Sequence, residues 1–411
     1  MQNRRQSWRF AIDLPFILML QSLLSIAKIG TNSMYIARKL DVASVLANKS
    51  CFLFGPRQCG KSSLVRATLP DAHIFDLLSG DTFTRIARNP NYIEETCRDS
   101  RPIVIDEIQK MPSLLDEVHR LIETKGLKFL LTGSSARKLR KSGVNLLGGR
   151  ARVRHLHPFS ASELGEKFNL DRAVNNGLIP GIWDSDDPEE DLAGYVSLYL
   201  EQEIMMEGAT RNLPAFSRFL EIAALSNGEQ INYQSIASDA QVPRSTIQEY
   251  FRILKDTLLA SEVPVWKKGQ SRKTVETSKF YLFDTGVTRR LQRRKPLVRG
   301  TPEYGHAFES WIMHELSSYI SSSRRDSEIS YWRTRTNLEV DFIINGEIAI
   351  EAKTTRNVIK DDLKGLRAIA DEGTFRRRIL ISDEPLDREV DGILILPWRK
   401  FIDQLWSGEL F

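Results

Sequence analysis

The sequence predicts an α/β protein in three parts: a parallel-sheet region, a helical middle, and a second α/β region. Three observations predict it. From residue 35 to about 165, short apolar runs alternate with helical patterns, which is how a sheet covered by helices on both faces reads. Residues 195–290 read as mostly helical. Residues 305–400 return to short strands beside one long helix.

At 411 residues the chain has room for several cores. Its 41% apolar and 27% charged content is that of a globular protein, not a disordered or fibrous one. The net charge of +5 permits an acidic or nucleic-acid partner without demanding one, because 58 basic residues face 53 acidic ones. Three cysteines, Cys51, Cys59 and Cys97, make no C-x-x-C pair and argue for a reducing compartment. A cytoplasmic location is expected, with no stable membrane association.

Residues 1–33 stand apart. They combine a basic start with an apolar stretch from Phe16 to Ala27, too short for a membrane span. Three readings stay open: an upstream extension with Met34 as the true start, an amphipathic helix, or a targeting segment.

The runs "SCFLF", "AHIFDL", "RPIVID" and "LKFLLTG" read as buried strands. After the first comes Gly55, Pro56, Arg57, Gln58, Cys59, Gly60, Lys61, Ser62 and Ser63. The spacing G-x-x-x-x-G-K-S is that of a phosphate-binding loop between a strand and a helix. Gly55 and Gly60 let the backbone approach an anion, and the freed N–H groups and helix N-terminus face it. Lys61 can reach the β and γ oxygens of ATP, and Ser62 can donate its hydroxyl to the coordination of Mg²⁺.

"RPIVIDEIQKMP" ends an apolar strand on Asp106 and Glu107, about 45 residues after the loop lysine. Asp106 is placed to hold the Mg²⁺ shell, and Glu107 to orient and polarise an attacking water. "LKFLLTGSS" ends a third strand on Thr132, Gly133, Ser134 and Ser135, where Thr132 or Ser134 can report the γ-phosphate. Arg150 follows Gly149. It can supply positive charge to the leaving phosphate, in its own chain or in a neighbouring copy, or it can simply pack against the loop.

Taken in order, "GPRQCGKSSL", "IVIDEIQKMP", "LLTGSSARKL" and "LGGRARVRHLHPFSASEL" resemble the prokaryotic AAA+ family ATPases. In that family the ATPase is fused to a C-terminal domain of unknown function with an endonuclease-like fold. The resemblance runs from about Met34 to the C-terminus. It implies a P-loop AAA+ domain at 34–183, ATP and Mg²⁺ as cofactors, and hydrolysis of ATP. One departure is Cys59, where a small aliphatic residue is usual; a thiol there can make the loop sensitive to oxidation.

The acidic stretch "DSDDPEED" at 184–191 reads as a loop separating lobes. Within 192–292, "INYQSIASDAQVPRSTIQEYFRILKDTLL" reads as helix, tight turn, helix. Ile236, Ala237 and Ala240 face inward on the first helix, and Ile247, Phe251 and Leu254 on the second. This is a helix-turn-helix with a wing near "VWKKGQSRKTVETSKFYLFD". Gln241 sits at the turn where glycine is usual. Arg244, Lys267, Lys268, Arg272 and Lys273 are the residues that would meet DNA phosphates; the bland reading is a structural linker.

In the last region, 300–411, a helix is expected from His306 to Ser321, with strands at "ISYWRT", "VDFIIN", "IAIEAK", "RRILIS" and "GILILP". "VDFIINGEIAIEAK" reads as strand, Asn-Gly turn, strand. Asp341 then comes alongside Glu351, and Glu351 and Lys353 share a face. Two carboxylates and a lysine suit metal-dependent phosphodiester hydrolysis. The set resembles a restriction-endonuclease-like core, which implies Glu309 as its helix carboxylate. Repulsion between Asp341 and Glu351 would leave the domain dependent on a divalent cation. A retained fold without activity, or a salt-bridge cluster, is the alternative. DNA and a second copy of the chain are the candidate macromolecular partners.

Overall fold

Five strands form the first sheet: β1 (Ser50–Phe54), β2 (His73–Asp76), β3 (Ile103–Asp106), β4 (Phe129–Gly133) and β5 (Ala151–His155). Their order is β2-β3-β4-β1-β5, and every pairing is parallel. Helices α1 (Val42–Asn48), α2 (Lys61–Thr68), α3 (Gly80–Arg88) and α4 (Leu114–Lys125) belong to the same region. The alternation within β1 explains its double burial. Phe52 and Phe54 join one core with Ile103 and Ile105, while Cys51 and Leu53 join another with Val104 and Leu130. The structure, a computed structural model, describes residues 35–137, 139, 147–200, 212–267, 272 and 274–411. Residues 37–411 form one compact unit. The readings of residues 1–33, and of Lys268 and Lys273, fall outside the described residues.

Strand β5 is an element that the sequence reading lacked. "ARVRH" carries two arginines and no apolar run, as an edge strand allows. The stretch 184–191 is not all loop either. Helix Pro188–Gly194 starts inside it, with proline in the first turn and the Asp187 carboxylate accepting from Glu190 N–H at 3.1 Å.

After the first sheet comes α5 (Leu170–Asn176), and the middle region contains α6 (Leu213–Leu225), α7 (Tyr233–Ala240) and α8 (Arg244–Asp256). Gln241 joins α7 to α8 at φ 55°, a left-handed conformation that a side chain pays for in strain. Ile236, Ala237, Ala240, Ile247, Phe251 and Leu254 share one core with Phe216 and Phe219 of α6. Strands β6 (Ala260–Val263) and β7 (Lys279–Leu282) follow as an antiparallel pair, then α9 (Thr285–Leu291).

The described residues between β6 and β7 run along β8 (Ile329–Arg333). Trp266 N–H donates to the Tyr331 carbonyl at 2.7 Å, Tyr331 N–H to Pro264 at 3.0 Å, and Val275 N–H to Arg333 at 3.1 Å. These residues therefore line the outer edge of the last sheet.

That sheet follows α10 (Pro302–Ser323), which is longer at both ends than predicted; Thr301 caps its N-terminus and Pro302 opens it. Strands β8, β9 (Glu339–Ile344), β10 (Ile348–Ala352), β11 (Arg377–Ser382), β12 (Arg388–Val390) and β13 (Ile393–Pro397) lie in the order β12-β13-β11-β10-β9-β8. Asn345 and Gly346 at φ 53° and 71° turn β9 into β10, as an Asn-Gly hairpin requires. Helix α11 (Trp398–Ser407) closes the chain.

Candidate functional site

The C-terminal ends of β1, β3 and β4 bring the first group of residues together. The loop after β1 passes so close to the end of β5 that a Cβ on Gly55 would collide with the Leu156 carbonyl. Gly60 takes φ 93° as the N-cap of α2. Lys61 folds back over the loop: its Nζ donates to the Gly55 carbonyl at 2.7 Å and the Pro56 carbonyl at 3.0 Å. Ser62 Oγ donates to Asp106 Oδ2 at 3.0 Å. Thr132 Oγ donates to the other Asp106 oxygen and accepts weakly from Glu107 N–H at 3.4 Å. Ser134, at the same strand end, is 3.4 Å from Gln109 Nε2.

Glu107 is held at φ 61°. Its carboxylate accepts from Gln109 Nε2. Burial pushes its pKa up, against the pull of the Lys61 charge. Gln109 itself is pinned over Gly133, where any Cβ would meet its side-chain oxygen. Two positioning residues were missed in the sequence. Gln109 lies only two residues past Glu107. Arg38 carries no local signal; it braces the loop by donating to the Cys59 carbonyl at 2.7 Å and the His157 carbonyl at 2.6 Å, while pairing with Glu163 at 3.0 Å.

Two expectations need correction here. Cys59 is 1% exposed beneath the loop, so its thiol lacks the access that oxidation needs. Arg150 precedes β5 at the end where Ser50 pairs with Ala151, the N-terminal end of the strands and the opposite end from the loop. Five residues of strand separate the two ends, roughly 16 Å at about 3.3 Å per residue. Its guanidinium pairs with Glu123 and does not face the phosphate loop of its own chain.

Just past β4, Arg137 is 3% exposed and reaches α8, with Nη2–Glu249 at 2.9 Å and Nη1–Asp256 at 2.8 Å. The second helix of the helix-turn-helix therefore presents acidic groups to the first sheet's region. Arg272 is likewise committed: it pairs with Glu372 at 3.0 Å and Asp371 at 2.9 Å. Of the five basic residues read as DNA contacts, Arg244 is exposed, Lys267 is exposed and Arg272 is tied to the last region.

The second group of residues lies in the last region. The hairpin register that pairs Ile350 with Phe342, continued one step, sets Glu351 opposite Asp341. Asp341 Oδ2 accepts from Ala352 N–H at 2.9 Å, and Lys353 Nζ lies 2.7 Å from Glu351 Oε1. Glu309 of α10 faces them. The centre of the group, however, is an ammonium that the sequence reading did not include. Lys279, the first residue of β7, places Nζ 3.0 Å from Glu309, 2.6 Å from Glu339 and 3.8 Å from Asp341. Tyr281 Oη donates to Glu309 at 2.5 Å, and Arg333 pairs with Glu339 at 3.0 Å.

Burial and the neighbouring carboxylates push Asp341 well above the ordinary range, and burial pushes Glu351 up. Burial works against the charge of Lys279, but the surrounding anionic groups raise its pKa well above that of a free lysine. Among the described residues no group of three or more His, Cys, Asp or Glu side chains is arranged to hold a metal ion. The expected carboxylate repulsion is answered by lysines from the chain itself. The only hint in the sequence was a lysine opening the otherwise apolar strand "KFYL".

Three family models match the chain in succession. Residues 47–165 match an AAA domain, residues 167–297 a domain of unknown function (DUF8612), and residues 304–401 another domain of unknown function (DUF4143). No curated protein matches. Among solved structures, the Bacillus subtilis DNA clamp loader delta protein is similar at 14% identity and a TM-score of 0.22, over 52% of this chain and 87% of that one. Among the described residues no helix is long and apolar enough to cross a membrane. The first sheet, with its glycine-rich loop and the strand ending in Asp106, thus lies within the residues that match an AAA domain.

Proposed function

We propose that the chain binds and hydrolyses ATP at the loop Gly55–Ser63, and that the nucleotide state is passed through the middle region to the last one. One observation carries the reading: Lys61, Ser62, Asp106, Glu107 and Thr132 converge at one edge of a parallel sheet, with Ser62 already on Asp106. Ser62 and Asp106 offer adjacent hard oxygens, the donor set that suits Mg²⁺. Mg²⁺ bound with the nucleotide supplies charge neutralisation on the β and γ oxygens. Lys61 exchanges the Gly55 and Pro56 carbonyls for phosphate oxygens. Glu107, fixed by Gln109, orients the attacking water and draws on its proton. Thr132 and Ser134 line the end of β4, and Arg137 connects that strand end to α8. Arg150 serves a neighbouring copy in this reading.

A second reading is a winged helix followed by a restriction-endonuclease-like domain that cleaves DNA. Its support is Asp341 opposite Glu351 with Lys353 on the Glu351 carboxylate. Against an exposed DNA-binding wing stands the pairing of Arg272 with Glu372 and of the inter-strand chain with β8.

The deciding experiment is ATP hydrolysis with and without DNA, beside a cleavage assay in Mg²⁺. Loss of hydrolysis in Lys61→Ala with retention in wild type supports the ATPase. Wild-type turnover in Lys61→Ala rejects it. DNA cleavage that survives Lys61→Ala and fails in Asp341→Asn favours the nuclease.

A further inference from the structure

The carboxylates of α10, β9 and β10 are closed over a cation that belongs to another part of the chain. Lys279 comes from β7 in the middle region, whereas Glu309, Glu339, Asp341 and Glu351 all come from the last region. Its side chain is 3% exposed. The ammonium has three carboxylates within 4 Å and lies 5.5 Å from the centre of the Tyr331 ring. Lysine donates three hydrogen bonds and is a compact point charge, so it can do electrostatically what a small cation does. The neighbouring Tyr281 hydroxyl, from the same strand, occupies a Glu309 oxygen. Two side chains of one strand therefore enter the cluster from the same side.

The cluster is not saturated. Four carboxylates face the charges of Lys279, Lys353 and Arg333. Glu351 is 6% exposed, yet its Oε2 has no hydrogen-bond partner. A buried carboxylate oxygen without a partner is costly, and it leaves the cluster short of a positive ligand. β7 also ties the cluster to the rest of the molecule. β7 pairs with β6, bridges to Gln230 through Lys279, and is joined to the chain before α7 by Gly228 N–H on Phe280 at 2.7 Å and Ile231 N–H on Ser278 at 3.0 Å. β6 follows α8, the helix that Arg137 holds.

We propose that Lys279 is a tethered counter-ion that plugs this carboxylate cluster, and that a divalent cation enters between Glu309, Asp341 and Glu351 only when β7 withdraws. The plug rests on the contacts of Lys279 alone. Any use of the opened site for cleavage rests on the nuclease reading above.

The test is Mn²⁺ binding to the nucleotide-free full chain, followed by electron paramagnetic resonance, in wild type, Lys279→Met, Asp341→Asn and the double variant. The expected result is no Asp341-dependent binding in wild type, one bound Mn²⁺ in Lys279→Met, and loss of that ion in the double variant. Equal Asp341-dependent binding in wild type and Lys279→Met overturns the plug, as does a folded Lys279→Met that binds none. Should Lys279→Met fail to fold, wild type and Asp341→Asn still decide. Mn²⁺ binding that falls on Asp341→Asn overturns the proposal, and identical binding in the two supports it. A Lys279→Met chain that binds Mn²⁺ but cleaves no DNA supports the plug and rejects the nuclease.

Discussion

Glu107 shows how a single residue is set for its task. At φ 61° it occupies a backbone region that costs a side chain about 1–2 kcal/mol, and Gln109 fixes its carboxylate. Under the proposed function, Glu107→Gln should keep ATP binding and lower kcat by about 10²–10³-fold, the scale of losing one aimed polar group. Lys61→Ala should abolish hydrolysis; both are read by phosphate release beside nucleotide-binding titration. A second residue-scale prediction concerns Glu315. It accepts from Ala161 N–H at 2.7 Å and from the indoles of Trp311 and Trp406 at 3.1 and 3.0 Å. Burial nevertheless pushes its pKa up from 4.5 to about 7. A folded-state value above the unfolded one means that its stabilising contribution is full below about pH 4.5 and is lost as pH rises through about 7. His314, pushed down from 6.5 to about 4 by burial, has the opposite sign: its contribution is present above pH 6.5 and lost as pH falls through about 4. His157, also depressed by burial, acts with it, and Glu163, Arg38 and His155 are the other charged or ionisable neighbours. Glu315→Gln should cost about 1–3 kcal/mol, because its amide meets indole donors. It should also leave the histidines alone in the window, so that the melting temperature falls steadily from about pH 7 to about pH 4.

At the scale of elements, α8 and the β6–β7 pair are committed to their neighbours. The helix-turn-helix pattern foretold α7, the turn at Gln241 and α8, but not that the second helix faces Arg137. Arg137→Ala removes a 3% exposed guanidinium whose partners are about one-third exposed. Screening at those partners reduces the cost of the broken pairs to about 1–3 kcal/mol. The expected outcome is a lowered denaturation midpoint with ATP affinity kept, and hydrolysis no longer responsive to changes in the middle region. The described residues between β6 and β7 cover the edge of β8, which would otherwise be free to pair with other chains. Trp266 is buried with Trp332, Val340 and Leu366 of the last region. Arg272→Ala breaks the tie to the fully buried Glu372. It should make the 264–276 stretch the first site of limited proteolysis, and leave any affinity for DNA unchanged.

At the scale of the molecule, the AAA domain, the middle and the last region are fitted closely together. Gly286 of α9 lies against Asn176 of α5, so a Cβ there would strike the backbone. Asp284 accepts from Leu178 N–H at 2.7 Å and from Val287 N–H at 3.0 Å. The 22-residue helix α10 spans about 33 Å at 1.5 Å per residue. It carries Glu309 toward Lys279, and Glu315 toward the AAA side at Ala161. A fragment starting at residue 300 would lose Lys279, Trp266 and the cover of β8 together. It should aggregate on size-exclusion chromatography, while a chain starting at residue 37 runs as a discrete species. A soluble, monodisperse fragment from residue 300 would show that the edge needs no cover.

By itself, the sequence determined what depends on neighbours along the chain. Glycine spacing around Lys61, apolar runs ending in Asp106 and Thr132, the Asn-Gly turn, and the facing of Asp341 and Glu351 all follow from local periodicity and turn chemistry. β5 escaped because an edge strand needs no apolar run, and the start of helix Pro188–Gly194 because its polar residues also suit a loop. Only the tertiary structure decided which charge meets which. Arg38 reaches Cys59, Arg137 reaches α8, Arg150 is carried to the far end of the strands, and Lys279 enters a cluster whose carboxylates lie 30 to 72 residues further on. The reason is physical. Backbone preference is set within a few residues, whereas a buried charge is tolerated only where distant elements bring its partner.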